Sequence, residues 1–237
     1  MYFSLITPRA GFERSAARDW LDGAYREHQW LWRFFPSPAG TERDFLFRRR
    51  DTSGLPRFYV VSQRAPKPDS DAWHVQSREY NPKVPSRARL GFELRANPVI
   101  SRNGDNGAQR HDVVMDAKKR LLAARGLTNW AAWTPDRTTA DGQADPPPPL
   151  CEVVHSACAA WLASRAEQHG FTLDESTLNV AAYEQHGGKR GQLRFSTVDL
   201  TGELVVTDAE RFATTLASGI GRAKAFGCGL LLVRPLA

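Results

Sequence analysis

Long hydrophobic runs are missing from this chain: no stretch of its 237 residues approaches the ~18 consecutive apolar residues that a membrane span needs. Its first residues, Met1-Tyr2-Phe3-Ser4-Leu5-Ile6, lack both the basic flank and the apolar stretch of a secretory signal, so none is expected. Cysteine is scarce. Cys151, Cys158 and Cys228 are an odd set with no C-x-x-C spacing, which argues against a disulfide framework and for a reducing, cytoplasmic setting. Cys151, His155 and Cys158 fall at i, i+4 and i+7 of one helical face, but a structural zinc needs a fourth ligand and none stands nearby. Packing of small residues is the better reading, and no metal is expected. A G-x-S-x-G nucleophile motif is absent, and so is the Gly-Lys-Ser/Thr of a nucleotide-binding P-loop. No cofactor is expected.

What the chain has is positive charge. Its formal net charge is +6 and its sequence pI about 9.5, with arginine far outnumbering lysine. Such a balance favours an anionic partner, because neutralising phosphates releases their counterions. The 41% apolar and 24% charged content is that of an ordinary globular protein with a proper core.

Hydrophobic patterning predicts two similar units. Residues 2–7 read as a strand stopped by Pro8. From about Asp19, the positions Ala24, His28, Leu31 and Phe35 recur at helical spacing, and Pro36 ends the helix. Residues 45–47 and 58–61 read as strands around a turn at 52–54, and residues 73–80 as a fourth strand, with the second helix eroded by prolines. That order is β-α-β-β-(weak helix)-β, a ferredoxin-like split βαβ. After a Pro82–Pro85 linker the pattern returns: a strand at 90–94, a helix at 152–169 stopped by Gly170, and strands at 178–183 and 193–198. A helix at 208–217 capped by Asp208 and a last strand at 230–233 complete it. The expected fold is α+β, two tandem ferredoxin-like (RRM-like) βαββαβ domains over residues 1–85 and 86–237. Residues 128–150, with four consecutive prolines, read as a flexible insertion.

The densest chemical signal is Gly219-Ile220-Gly221-Arg222-Ala223-Lys224-Ala225-Phe226-Gly227-Cys228-Gly229, four glycines and two cations. Such a loop either brings backbone N–H groups up to a phosphate chain or makes a tight connection in a small fold. It follows a helix and feeds a strand, so it is not a dinucleotide-binding fingerprint. Tyr25 and His28, three apart, share a helix face. A near-neutral His serves as an acid or a base, or it fills one position of the apolar stripe. Arg48-Arg49-Arg50 and Lys118-Lys119-Arg120 read as solvated charged faces.

Gly219-x-Gly221-x-x-Lys224-x-x-Gly227-x-Gly229-Leu230-Leu231 resembles the C-terminal signature of CRISPR RNA-processing endoribonucleases, most of all the type I-E CasE family. Further segments match in order: Tyr25-x-x-His28-x-x-Leu31-Trp32-x-x-Phe35-Pro36, Arg43-Asp44-Phe45-Leu46-Phe47, Phe92-x-Leu94-Arg95-Ala96-Asn97-Pro98 and Ala160-Trp161-Leu162. The insertion at 128–150 departs from the family, which has a brief connection there. The resemblance implies catalytic roles for Tyr25 and His28. Lys224 either stabilises the charge of the transition state or makes a plain phosphate contact. It also implies RNA binding by Lys189, Arg190 and Arg194 of a basic hairpin and by Gly219, Gly221, Arg222, Gly227 and Gly229. The implied partners are the CRISPR repeat stem-loop, as precursor and as mature guide, and the other Cascade subunits. The rival classes are a non-catalytic RNA-binding module of the same fold and an assembly protein with no salt-sensitive RNA affinity.

Overall fold

The computed structural model describes residues 1–19, 24–38, 40–104, 107–187 and 194–236. Its first sheet is built from β1 (Tyr2–Pro8), β2 (Phe45–Thr52), β3 (Leu55–Ser62) and β4 (Trp73–Glu79), in the order β2-β3-β1-β4 with every neighbour antiparallel. A short helix α1 (Glu13–Asp19) and then α2 (Ala24–Trp32) connect β1 to β2. Alternation explains the packing. On β2, Phe45 and Phe47 point to the face covered by Trp30, Leu31, Phe34 and Phe35, while Leu46 points to the other face and meets Val61 and Leu230. The helical periodicity 24–28–31–35 is thus that of a helix laid on aromatic strands; the regular helix ends at Trp32, and a turn delivers Phe34 and Phe35. No helix forms between β3 and β4 among the described residues.

The second sheet has β5 (Arg89–Ala96), β8 (Phe171–His186), β9 (Phe195–Val206) and β10 (Leu231–Pro235) in the order β10-β5-β9-β8. Numbered within its own unit, this is the same strand order as the first sheet. Helix α4 (Leu150–Ala166) and α5 (Ala209–Ser218) complete the unit, and the Asp208 carboxylate caps α5 by accepting from the amides of Glu210 and Arg211. The chain is therefore two tandem ferredoxin-like domains. Leu230 and Leu232 of the second domain meet Leu46, Val61 and Tyr59 of the first, so the two sheets share a small apolar seam.

Three features depart from the sequence-based expectation. A two-stranded hairpin, β6 (Val99–Gly104) with β7 (Gly107–Asp112), and a helix α3 (Val113–Ala123) stand where no elements were expected. Residues 128–150 are not a floppy insertion. Trp133 is buried, its indole donates to the Asp145 carbonyl at 2.7 Å, and Arg125 lies 4.0 Å from its ring and 2.8 Å from the Asp145 carboxylate. Finally, Arg48 is 5% exposed, not on a solvated face, because β2 is covered on both sides.

Candidate active site and RNA-facing surface

Helix α2 carries both expected catalytic residues three positions apart; Tyr25 stands in its first turn, with its side chain outside the described residues. His28 is half-buried, and its Nε2 accepts a hydrogen bond from the Trp32 indole N–H at 3.1 Å. Burial lowers its pKa below the ordinary 6.5, and the nearby Arg43 guanidinium lowers it further. The Trp32 bond acts in the same sense, because a nitrogen that accepts cannot also hold a proton. Burial, Arg43 and the Trp32 bond thus all favour the neutral form of His28.

The glycine-rich loop of the second domain comes to this helix. Its 3-10 turn, Lys224–Phe226, packs on α2 and β2, with the Phe226 ring 6.3 Å from that of His28. Two glycines show why the loop has this composition. Gly219 has φ +72°, and a Cβ there would sit 2.6 Å from the Gly229 carbonyl oxygen. Gly229 has φ +91°, and its Cβ would meet the Ile220 carbonyl oxygen at 2.8 Å. Gly221 lies against the Trp161 ring and Gly227 against Phe47. The amides of Gly219, Ile220 and Gly229 donate to the carbonyls of Thr215, Gly229 and Arg95, so they are spent on α5, the loop itself and β5. The glycines shape the turn; the side chains of Lys224 and exposed Arg222 are what it displays.

Lys224 Nζ donates to the Ser218 carbonyl at 2.6 Å, and burial, then Arg43, lower its pKa from the ordinary 10.5. Arg43 is the residue that sequence reasoning left without a role. It lines a cleft of about 380 Å³ with Lys224, Ser218 and Gln63. Its Nε and Nη1 are buried without a hydrogen-bond acceptor, and burial lowers its pKa. The adjacent Asp44 is no partner, because its carboxylate is held by Arg64 at 2.7 Å. His28, Lys224 and Arg43 therefore form one electrostatically linked group with a cation short of an anion.

Arg194 is exposed just before β9, and its neighbour Phe195 stacks on Phe226 at 5.0 Å, which brings the base of the expected basic hairpin to the loop. Lys189 and Arg190 lie outside the described residues. The cysteine-histidine set on α4 points apart: Cys158 is buried, with its thiol pushed up to about 12 by burial, Cys151 is exposed, and His155 lies 3.3 Å from the Leu178 carbonyl.

Fold and site together define a two-domain, ferredoxin-like protein in which a half-buried histidine stands near Arg43 of its own domain and meets the Lys224–Phe226 turn of the other at the domain junction. The family model "CRISPR associated protein" matches residues 1–235, and the chain belongs to that family. It is 27% identical over 223 residues to the CRISPR system Cascade subunit CasE of Escherichia coli (strain K12), covering 93% of this chain and 96% of that protein. It is 29% identical over 245 residues to the CRISPR-associated endoribonuclease Cse3 of Thermus thermophilus, covering 94% of each. Among solved structures, the endoribonuclease Cse3 bound to a 19-nt RNA superposes with a TM-score of 0.67 at 23% identity, covering 99% of this chain and 98% of that one. No described helix is long and apolar enough to cross a membrane.

Proposed function

We propose that the protein is a metal-independent endoribonuclease that recognises the CRISPR repeat stem-loop and cuts precursor CRISPR RNA at the 3′ base of the hairpin. The observation that carries this reading is the meeting of neutral His28 with Lys224 and under-partnered Arg43, in a chain whose relatives are named CasE and Cse3 endoribonuclease. The 2′-OH upstream of the cut attacks the phosphorus, its proton passes to a base, and the 5′-oxygen leaves with a proton from an acid. The products are a 2′,3′-cyclic phosphate and a 5′-OH. Neutral His28 suits the base once its Nε2 lone pair turns from the Trp32 indole N–H to the 2′-OH, with Tyr25 as its partner in proton transfer or in placing the phosphate. Lys224 and Arg43 face the charge that grows on the phosphorane-like transition state, where fixed cations in a partly dry cleft stabilise most. Lys189, Arg190, Arg194 and Arg222 hold the stem by its phosphates, since A-form RNA is read largely through shape and charge. The enzyme stays on its product and enters Cascade as a subunit, in the cytoplasm.

Because protein side chains supply both proton transfers, cleavage of a panel of repeat hairpins is expected to run at full rate in EDTA. A strict requirement of the chemical step for Mg²⁺ or Mn²⁺ overturns the mechanism. Binding without cutting by the wild-type protein favours the RNA-binding module instead.

Arg43 makes a separate prediction. Its charge holds the His28 pKa down, so Arg43→Gln raises that pKa toward 6.5. The base form is then lost at a higher pH, and the acid limb of the single-turnover pH–rate profile moves upward. Arg43→Lys keeps the charge and leaves the limb near its wild-type place. A limb unmoved in Arg43→Gln separates Arg43 from His28.

A further inference from the structure

A column of rings lies beside the proposed active site and belongs to none of the hydrophobic cores. His186 at the end of β8 pairs across the ladder with Phe195 of β9, after a register shift between Ala181 and Glu184. Their rings stack at 4.7 Å and 26°, Phe195 stacks on Phe226 at 5.0 Å and 28°, and Phe226 leads to His28. Four half-buried rings from four separate elements thus run to the residue that takes the proton.

Three of these rings line a cleft of about 610 Å³ between the two sheets. The charges in that cleft cancel locally. Arg95 is held by Asp199 at 2.7 Å, Arg50 by Glu93 at 3.0 Å and Arg49 by Asp51 at 2.8 Å, and the fourth cation of the lining, Arg48, is buried with Asp199 3.5 Å away. A phosphate chain gains little from cations already paired with carboxylates. A flat, uncharged base gains stacking area from the rings and finds donors and acceptors along its edge. Stacking platforms next to a backbone track are how proteins hold unpaired nucleotides.

We infer that this cleft is a base-binding subsite, taking the nucleobase of the first unpaired nucleotide 3′ of the scissile phosphate against the Phe226–Phe195–His186 column. The inference rests on the cleavage position proposed above: the upstream base is committed to the stem, which leaves the downstream one free to enter.

The test uses a repeat hairpin with a 2′-deoxy nucleotide upstream of the cut, to prevent cleavage, and 2-aminopurine as the first downstream base. Its fluorescence is expected to fall on binding the wild-type protein. It should stay near the free-RNA value with Phe195→Ala and with Phe195→Leu, which keeps an apolar side chain but no ring, and be quenched again with Phe195→Tyr. An abasic downstream nucleotide should weaken wild-type affinity about 5- to 150-fold and have little effect on Phe195→Leu. Unquenched emission in the wild-type complex, or equal affinity for abasic and intact RNA, overturns the subsite. The all-ribose hairpin is assayed in parallel. Cutting with an unquenched base rejects the subsite alone, while quenching without cutting rejects the nuclease reading and leaves the base site standing.

Discussion

With His28→Ala, single-turnover cleavage is expected to fall by about 10²–10⁴-fold, roughly 3–5 kcal/mol of barrier, while the RNA dissociation constant stays close to wild type. The split follows from the division of labour in the site. In the proposed reading affinity comes from arginine and lysine contacts to phosphates, not from His28. In the proposed mechanism the rate depends on a neutral imidazole that reaches the 2′-OH, and burial, Arg43 and the Trp32 indole all favour that form of His28. A 2′-deoxy nucleotide upstream of the cut should stop the wild-type reaction by removing the nucleophile. Packing must be separated from chemistry, since His28 sits between Trp32 and Phe226 and alanine leaves a cavity there. Stability against pH supplies the control. A histidine with a lowered folded pKa binds fewer protons in the fold than in the unfolded chain, so its contribution is complete above the ordinary 6.5 and is lost as pH falls through the lowered value. His28→Ala should remove that part of the slope, while His169, lowered chiefly by its own burial, keeps its share. A folded His28→Ala protein cutting at the wild-type rate puts the proton transfer elsewhere.

Apart from α1 and α3, which bury Ala16 and Val113, Val114 and Leu122 without an expected helix there, the strands and helices that face a core were legible in the sequence because their periodicity is the imprint of that core. Phe45 and Phe47 against Leu46 is one such imprint, and the Asp208 cap before Phe212 and Leu216 is another. The β6–β7 hairpin left no imprint, since Ser101, Arg102 and Asn103 face Arg110, Gln109 and Ala108 with both strands exposed. The order of residues 128–150 depends on Arg125 and Asp145 closing on Trp133 from opposite ends, which no local window shows. His28 and Lys224 entered through motif resemblance, and their proximity needed the fold. Arg43 was hidden for a different reason: its neighbour Asp44 suggests a local partner, and only the distant Arg64 takes that partner away. His186, Phe195 and Phe226 are ordinary residues in sequence and become a column only after β8, β9 and the Lys224–Phe226 turn of the second domain, with a register shift, bring them together.

Asp199→Ala is expected to destabilise the fold, by less than the about 3–5 kcal/mol of stripping a fully buried ion pair of one partner, because Asp199 keeps 21% and Arg95 34% of their side-chain exposure. Asp199 on β9 accepts both Nε and Nη2 of Arg95, at 2.9 and 2.7 Å, and stands 3.5 Å from Arg48, which reaches it from the first domain. Arg48 is buried, its Nε and Nη1 have no acceptor, and its next carboxylate, Glu93, is 4.0 Å away. Burial already lowers its pKa, with Asp199 the largest opposing influence, so losing Asp199 leaves a desolvated cation nearly bare. Arg48→Met removes that cation and fills similar space, a replacement that is often neutral or stabilising. The double variant Asp199→Ala/Arg48→Met should therefore recover most of the lost stability, read as urea midpoints at constant m. Simple addition of the two single effects denies the coupling. The network joins β2 of one domain to β5 and β9 of the other, and the apolar seam joins Leu46 and Val61 to Leu230 across the same junction. Both lie in the domain junction across which the Lys224–Phe226 turn meets helix α2. Asp199→Ala should accordingly slow cleavage even where the protein remains folded, whereas the double variant, with the bare charge gone, should cut faster than Asp199→Ala alone.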